Sequence, residues 1–326
     1  MKTYIFILLL VLLNFLNSCD EGFEPYTDYD EKYVMHCILR GDTNYQTLIL
    51  TKSYFTNEPN PINYKIDPSV ENATIRVWYG DSIRFFTQTT GTRKDSSRYG
   101  SSVIFYENND FTPPVDKELE IQIILSNGRK LSSITYSPSK LIFNRWNSDT
   151  IIPSTDDDKI TLKWTNVKNS IYVKSRFTIV YSKYENGSWQ KHIKEVPQYY
   201  VEKNGIYYPK YSDPNIYGSV MQIDMETFSR AMSEISEGDP NKENYIIYSC
   251  IAEVIAYDEN LSKYYSAQKN SLNNYTINLN RSNFTNINGG TGIFCSYSVG
   301  YYFIRLRHSY INSFGYIPGI SDVKPK

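Results

Sequence analysis

Catalytic equipment is what this chain has least of. Its three histidines, His36, His192 and His308, are scattered without metal-ligand spacing. There is no Gly-x-Ser-x-Gly elbow, and no serine stands in a recognisable pattern with His and Asp. Gly289-Gly290-Thr291-Gly292 lacks the Lys and Ser/Thr of a phosphate loop and leads into a strand-like run, so it reads as a turn or bulge needing positive φ. Asp156-Asp157-Asp158 does not follow the ligand spacing of a calcium loop and reads as a solvated turn. No catalytic residue, metal site or cofactor is therefore assigned. Charge of one sign is also missing: 34 Lys and Arg face 35 Asp and Glu, which removes the electrostatic case for a nucleic-acid partner.

Cysteine is sparse too, with four in 326 residues. Cys37, Cys250 and Cys295 are an odd number at wide spacing, which is no disulfide framework. Cys37 and Cys250 lie in apolar runs and read as small buried hydrophobes. In an oxidising compartment one bridge stays open, Cys250 with Cys295 being the pair within one region.

Long apolar runs are absent beyond residue 16. Before it, Lys2 precedes Ile5 to Leu13 and Phe15-Leu16, a charged start and a short apolar segment, as in a secretory signal. Leu16-Asn17-Ser18-Cys19 resembles a bacterial lipobox, predicting cleavage after residue 18 and lipidation of Cys19. Each buried acyl CH₂ contributes about 0.8 kcal/mol to anchoring. The acidic, turn-rich residues 19–32 read as a tether. They resemble the surface-export signal of some Gram-negative lipoproteins, and they read equally as a solvated linker. The expected location is the cell envelope, held by lipid at the outer membrane.

What is abundant is strand signal. Tyr33–Leu39, Thr47–Thr51, Ala73–Val77 and Leu119–Leu125 are apolar or alternating runs. Asn127-Gly128 and Glu185-Asn186-Gly187-Ser188 join such runs as hairpins. The fold class expected is mainly β: two immunoglobulin- or fibronectin-like β-sandwiches in tandem, with one short helix in the second. The boundaries expected are a sandwich over 33–143, an exposed polar junction at 144–159, a β-rich domain at 160–308 and a tail at 309–326. Trp164 reads as a core anchor. Met225, Phe228, Met232 and Ile235 recur at helical spacing behind Asp224 as a possible cap, and Gly238-Asp239-Pro240 ends the run. Further strands are expected at Tyr245–Tyr257, Tyr264–Gln268, Gly292–Val299 and Tyr301–Arg307. The 31 tyrosines could stack on sugar rings, but they also suit half-buried strands.

Ala252 to Asp258, Tyr264 to Gln268 and Asn286-Ile287-Asn288-Gly289-Gly290-Thr291-Gly292-Ile293-Phe294 together are more specific. The Asn-Ile-x-Gly-Gly-x-Gly-Ile-Phe core resembles the closing signature of a large family of exported lipoproteins, designated domain of unknown function 4249. Cys295 departs from it, standing where a small residue is usual. The resemblance implies a lipobox, an N-terminal β-sandwich region and a second β-rich region closing on the glycine motif. It also implies an envelope protein found beside outer-membrane nutrient receptors, and it brings no catalytic residues. Three function classes follow: a non-catalytic binding or accessory protein beside an outer-membrane receptor, a carbohydrate-binding surface protein, and a hydrolase with a dispersed site.

Overall fold

Alternation of apolar and polar residues is converted directly into strands in the computed structural model, which describes residues 30–56, 60, 63–144, 151–153, 158–272 and 284–320. The signal segment, Cys19 and most of the tether lie outside the described residues. The first seven strands are β1 (Tyr33–Arg40), β2 (Gln46–Lys52), β3 (Thr74–Tyr79), β4 (Ser82–Thr92), β5 (Ser102–Asn108), β6 (Glu118–Ile124) and β7 (Lys130–Tyr136). Met35, Cys37 and Leu39 of β1 point inward, as do Leu119, Ile121 and Ile123 of β6. Two layers enclose this first core, and β4 belongs to both. Its first half pairs with β3 and its second half with β5.

The second half continues with β8 (Ile151–Ile152), β9 (Lys159–Lys163), β10 (Ser170–Glu185), β11 (Ser188–Val196), β12 (Tyr199–Lys203), β13 (Ile206–Lys210), β14 (Asn215–Ile216) and β15 (Val220–Asp224). Helix α1 (Met225–Glu234), β16 (Tyr245–Asp258), helix α2 (Glu259–Leu272), β17 (Thr291–Leu306), helix α3 (His308–Ser313) and β18 (Ile317–Pro318) complete it. The layer β11-β10-β16-β17 packs against the β9–β15 ribbon, α1 and α3. Phe177, Ile179, Phe228, Met232, Ile247 and Ile304 lie in the core between them.

The chain is mainly β, but the two halves are not self-contained sandwiches in tandem. β17 is one strand of sixteen residues serving both. Its first half runs parallel to β1 and gives Phe294 to the first core, and its second half runs antiparallel to β16. A single path of hydrogen-bonded strands thus connects β11 at one end with β7 at the other. The sequence reading split β17 at Gly300. That glycine is no turn; it is buried mid-strand, where an added Cβ would lie 2.6 Å from the Leu141 side chain.

Other expectations need correction. Tyr264–Gln268 is helical, within α2, because Asp258 accepts the Leu261 N–H at 2.7 Å as an N-cap and Glu259 pairs with Lys263 one turn on. Among the described residues the second half thus has three α-helices rather than one. The junction is not uniformly exposed: Ile152 is buried and β8 pairs with the end of β17. Residues 309–320 are not a loose tail, since Ile311 and Tyr316 enter the second core. Asp224 sits at the N-cap of α1 but makes no side-chain capping bond. All three described cysteines are free and buried, so Cys250 and Cys295 do not pair. No helix among the described residues is long and apolar enough to cross a membrane.

Candidate functional site

The glycine motif is a seam between segments far apart in sequence. Gly289 and Gly292 have φ of +79° and +108°, backbone states that strain any residue with a Cβ. A Cβ on Gly289 would collide with the Lys130 carbonyl, one on Gly292 with that of Met35, and one on Gly290 would sit 2.7 Å from that of Tyr33. The asparagines of the motif complete the seam. Asn286 accepts the Phe294 N–H at 3.0 Å and donates to its carbonyl at 2.6 Å, imitating a neighbouring strand. Asn288 exchanges both backbone hydrogen bonds with Ser132 of β7. The Asn286 amide and the Asn288 backbone are thus spent on backbone partners.

A second joint lies at Asp258, which sequence reasoning quoted only as part of a resemblance. This carboxylate is fully buried. It accepts from Thr135 Oγ1 at 2.6 Å, from the Ser296 backbone N–H, from Ser296 Oγ at 3.1 Å and from the Leu261 N–H. Burial pushes its pKa up to about 6, against the lowering effect of those donors. One side chain thereby joins β7, β17 and α2.

The surface offers more at the open end of the second core. Between β10 and β15 lies a cleft of about 210 Å³. Phe177, Val196, Met221 and Ile223 form its apolar wall, and Gln198, Ser212, Asn215 and Gln222 its polar rim. Ser175, Arg176, Glu195 and Val220 also border it. Arg176 is already engaged, donating from Nε to Glu253 at 2.5 Å. Glu195 is the one carboxylate among the lining residues.

Trp164 builds the cleft's outer loop. It is buried, as expected of a core anchor, but its indole N–H also donates to the Gly218 carbonyl at 2.8 Å and its backbone N–H to Ser219. Asn215 and Ile216 pair with Val173 and Tyr172 of β10, and the Tyr217 N–H reaches the Ile171 carbonyl at 2.8 Å. These bonds hold Tyr217 at φ 49°, unusual for a bulky residue, with the side chain 65% exposed.

The β12–β13 hairpin springs from the same rim, where the Gln198 N–H donates to the Lys210 carbonyl at 2.7 Å. Its turn, Asn204-Gly205, has φ of 54° and 75°, as a two-residue type I′ turn requires. The register puts Tyr199, Val201 and Lys203 on one face with Ile206, Tyr208 and Lys210. Tyr199, Ile206 and Tyr208 are exposed there, at 50%, 57% and 45%. On the opposite face the Arg230 guanidinium of α1 lies 3.5 Å from the Tyr207 ring centroid and 5.5 Å from that of Tyr200. The Asn-Gly turn between aromatic runs is the signal that found the other hairpins, and it was available here.

The remaining sequence candidates do not converge. His192 stacks on Tyr181 and lies 2.9 Å from Glu185, while His36 and His308 are on distant elements. Asp156 and Asp157 lie outside the described residues, and Asp158 uses its carbonyl to accept the Met225 N–H. Among the described residues no group of His, Cys, Asp and Glu is placed to hold a metal ion. Compared with protein-family models and with curated proteins, the chain finds no match.

Proposed function

We propose that this chain is a lipid-anchored envelope protein, held through Cys19 at the outer membrane, that works by contact with another envelope protein, such as a receptor, rather than by catalysis. The observation that carries the reading is the β12–β13 hairpin, which presents Tyr199, Ile206 and Tyr208 to solvent while Arg230 grips its other face. Aromatic side chains on a preorganised element supply contact energy at small entropic cost. The Asn-Ile-x-Gly-Gly-x-Gly-Ile-Phe motif and the lipobox-like 16–19 segment support the envelope setting. A photo-crosslinking amino acid at position 208, activated in intact envelopes, should give one dominant adduct. The same probe at Ile134, exposed on β7 at the other end of the sheet path, should not. Equal, diffuse labelling from both positions sinks the hairpin as the contact. Cys19→Ala should release the protein from the membrane fraction, and retention of the variant there sinks the anchor.

A further inference from the structure

The cleft at the root of the hairpin is a separate feature, and its chemistry is not that of a protein contact. Its rim residues Gln198, Asn215 and Gln222 carry primary amides, each presenting a donor and an acceptor side by side, and that of Gln222 also donates from Nε2 to Thr161 Oγ1 at 3.4 Å. The Gln198 and Asn215 amides have no hydrogen-bond partner among the described residues. Arg176 is neutralised by Glu253, which leaves the lining with a single negative charge, that of Glu195. An anionic ligand would meet no uncompensated cation to replace its hydration and would face Glu195, while the hydroxyls of a neutral molecule can donate to that carboxylate. Neighbouring hydroxyls, each both donor and acceptor, do match a row of amides. The buried Phe177 and Met221 offer the apolar surface that C–H groups of such a molecule would cover.

Size and placement narrow the class. About 210 Å³ is below the roughly 300–1,000 Å³ of sites for drug-sized molecules, which fits one ring rather than an extended chain inside the cleft. Outside it, tyrosines flank the rim in sequence: Tyr199 follows Gln198, Tyr211 precedes Ser212, and Tyr217 lies two residues beyond Asn215. All three are exposed. Tyr217 is held in its left-handed conformation by the bonds to Ile171 and from Trp164 to Gly218, a locally strained state of the kind that collects at ligand sites.

We infer that the cleft between β10 and β15 binds one sugar ring of a neutral glycan, with the rim amides of Gln198, Asn215 and Gln222 engaging hydroxyls and Tyr217 stacking beside it. The cleft adjoins the hairpin at its base, through Gln198 and Tyr199, and the residues substituted to disrupt it, Gln198, Asn215 and Tyr217, lie outside the hairpin's contact face of Tyr199, Ile206 and Tyr208.

The test uses the full chain, on an array of neutral and acidic oligosaccharides followed by calorimetric titration of the best neutral hit. Saturable binding to at least one neutral glycan is expected. The Gln198→Ala/Asn215→Ala double variant should weaken it tenfold or more, and Tyr217→Ala about as much, with thermal unfolding unchanged in both. Ile206→Ser, on the hairpin's outer face, should bind the glycan as the parent does while losing the envelope crosslink. Binding to no glycan, binding to acidic glycans only, or affinity retained in the double variant overturns the site. Crosslinking from position 208 is unaffected by those outcomes, so each proposal fails by itself.

Discussion

The two halves share β17 yet treat their surfaces differently. Around the first core, strands cover both layers, β4 turns the corner between them, and the glycine seam closes the edge with backbone-to-backbone contacts. Around the second core the facing layer is only a two-stranded ribbon with α1 and α3, and its open end becomes the cleft and the standing hairpin. At the glycine seam of the closed half and at the Asp258 joint, the polar groups described are bonded to other parts of the chain. The open half keeps amides and aromatics free at its rim. The surfaces proposed for recognition thus lie in the open half, and the glycine seam in the closed one, along the one strand β17.

The comparison is broken most severely at the seam. Gly292→Ala places a methyl against the Met35 carbonyl at φ +108°, so strain and collision combine. The expected loss is more than about 3 kcal/mol, or failure to fold. Gly205→Ala is the control, since its φ is +75° but nothing lies near the added Cβ. It should cost only about 1 kcal/mol. Chemical denaturation of both variants checks this, and equal costs would show that collision at the seam is unimportant.

Next in size is the Asp258 joint. Asp258→Ala leaves backbone and hydroxyl donors buried without an acceptor, a cost of about 2–4 kcal/mol. The pH dependence has a definite sign. A carboxyl whose folded pKa is about 6, against an ordinary value of 3.8, binds protons more tightly in the folded chain. Its contribution to stability therefore falls as pH rises from about 4 to 6 and is flat above. Subtracting the stability profile of Asp258→Asn from that of the parent should isolate this fall. A difference profile that rises across the window would contradict it.

Much of the closed half was legible in sequence. Its strands β1, β2, β6 and β7 alternate, and Asn127-Gly128 marks its last hairpin with Gly128 at φ +81°, whereas β4 and β5 do not alternate and went unmarked. What sequence could not reveal was the parallel pairing of β1 with β17, because the contact spans 258 positions and leaves no local pattern. In the open half local signals misled. Paired tyrosines in α2 resemble strand, and Asp258, one residue past the expected strand Tyr245–Tyr257, carries no sequence mark of the cap it forms. Gly300 looked like a break because packing against Leu141, its true reason, is invisible in one dimension. The cleft is harder still, since β10, β11, β14 and β15 each bring only one to a few residues to it. Trp164 was correctly read as core, but nothing in sequence discloses that its N–H holds the Gly218 carbonyl.

That hydrogen bond gives a smaller and sharper test. Trp164→Phe keeps most of the packing but leaves the Gly218 carbonyl without the indole donor, at a cost of about 1–2 kcal/mol. Hydrogen exchange should quicken at the Tyr217 and Ser219 amides and stay unchanged in β1 and β6. Uniform quickening would mean that Trp164 acts only through the core.

The smallest effect is expected where the hairpin meets α1, and it separates recognition from scaffold most cleanly. Arg230 lies against Tyr207 and Tyr200 on a surface that is partly exposed, so its cation–π contacts contribute about 0.5–2 kcal/mol locally. Beyond Arg230, the hairpin's described backbone bonds are those of its own ladder and the Gln198–Lys210 link at its base. An isolated two-stranded hairpin is marginal in water. Arg230→Ala should therefore leave the global unfolding midpoint nearly unchanged while raising proteolytic cleavage near Asn204-Gly205 severalfold. Arg230→Lys should recover only part of the protection, because an ammonium lacks the flat face that lies against a ring. If cleavage at the hairpin stays at the parental rate in Arg230→Ala, the hairpin is rigid for another reason. If the whole fold weakens by several kcal/mol instead, the open half depends on its recognition element as much as the closed half depends on its glycine seam, and the division between them fails.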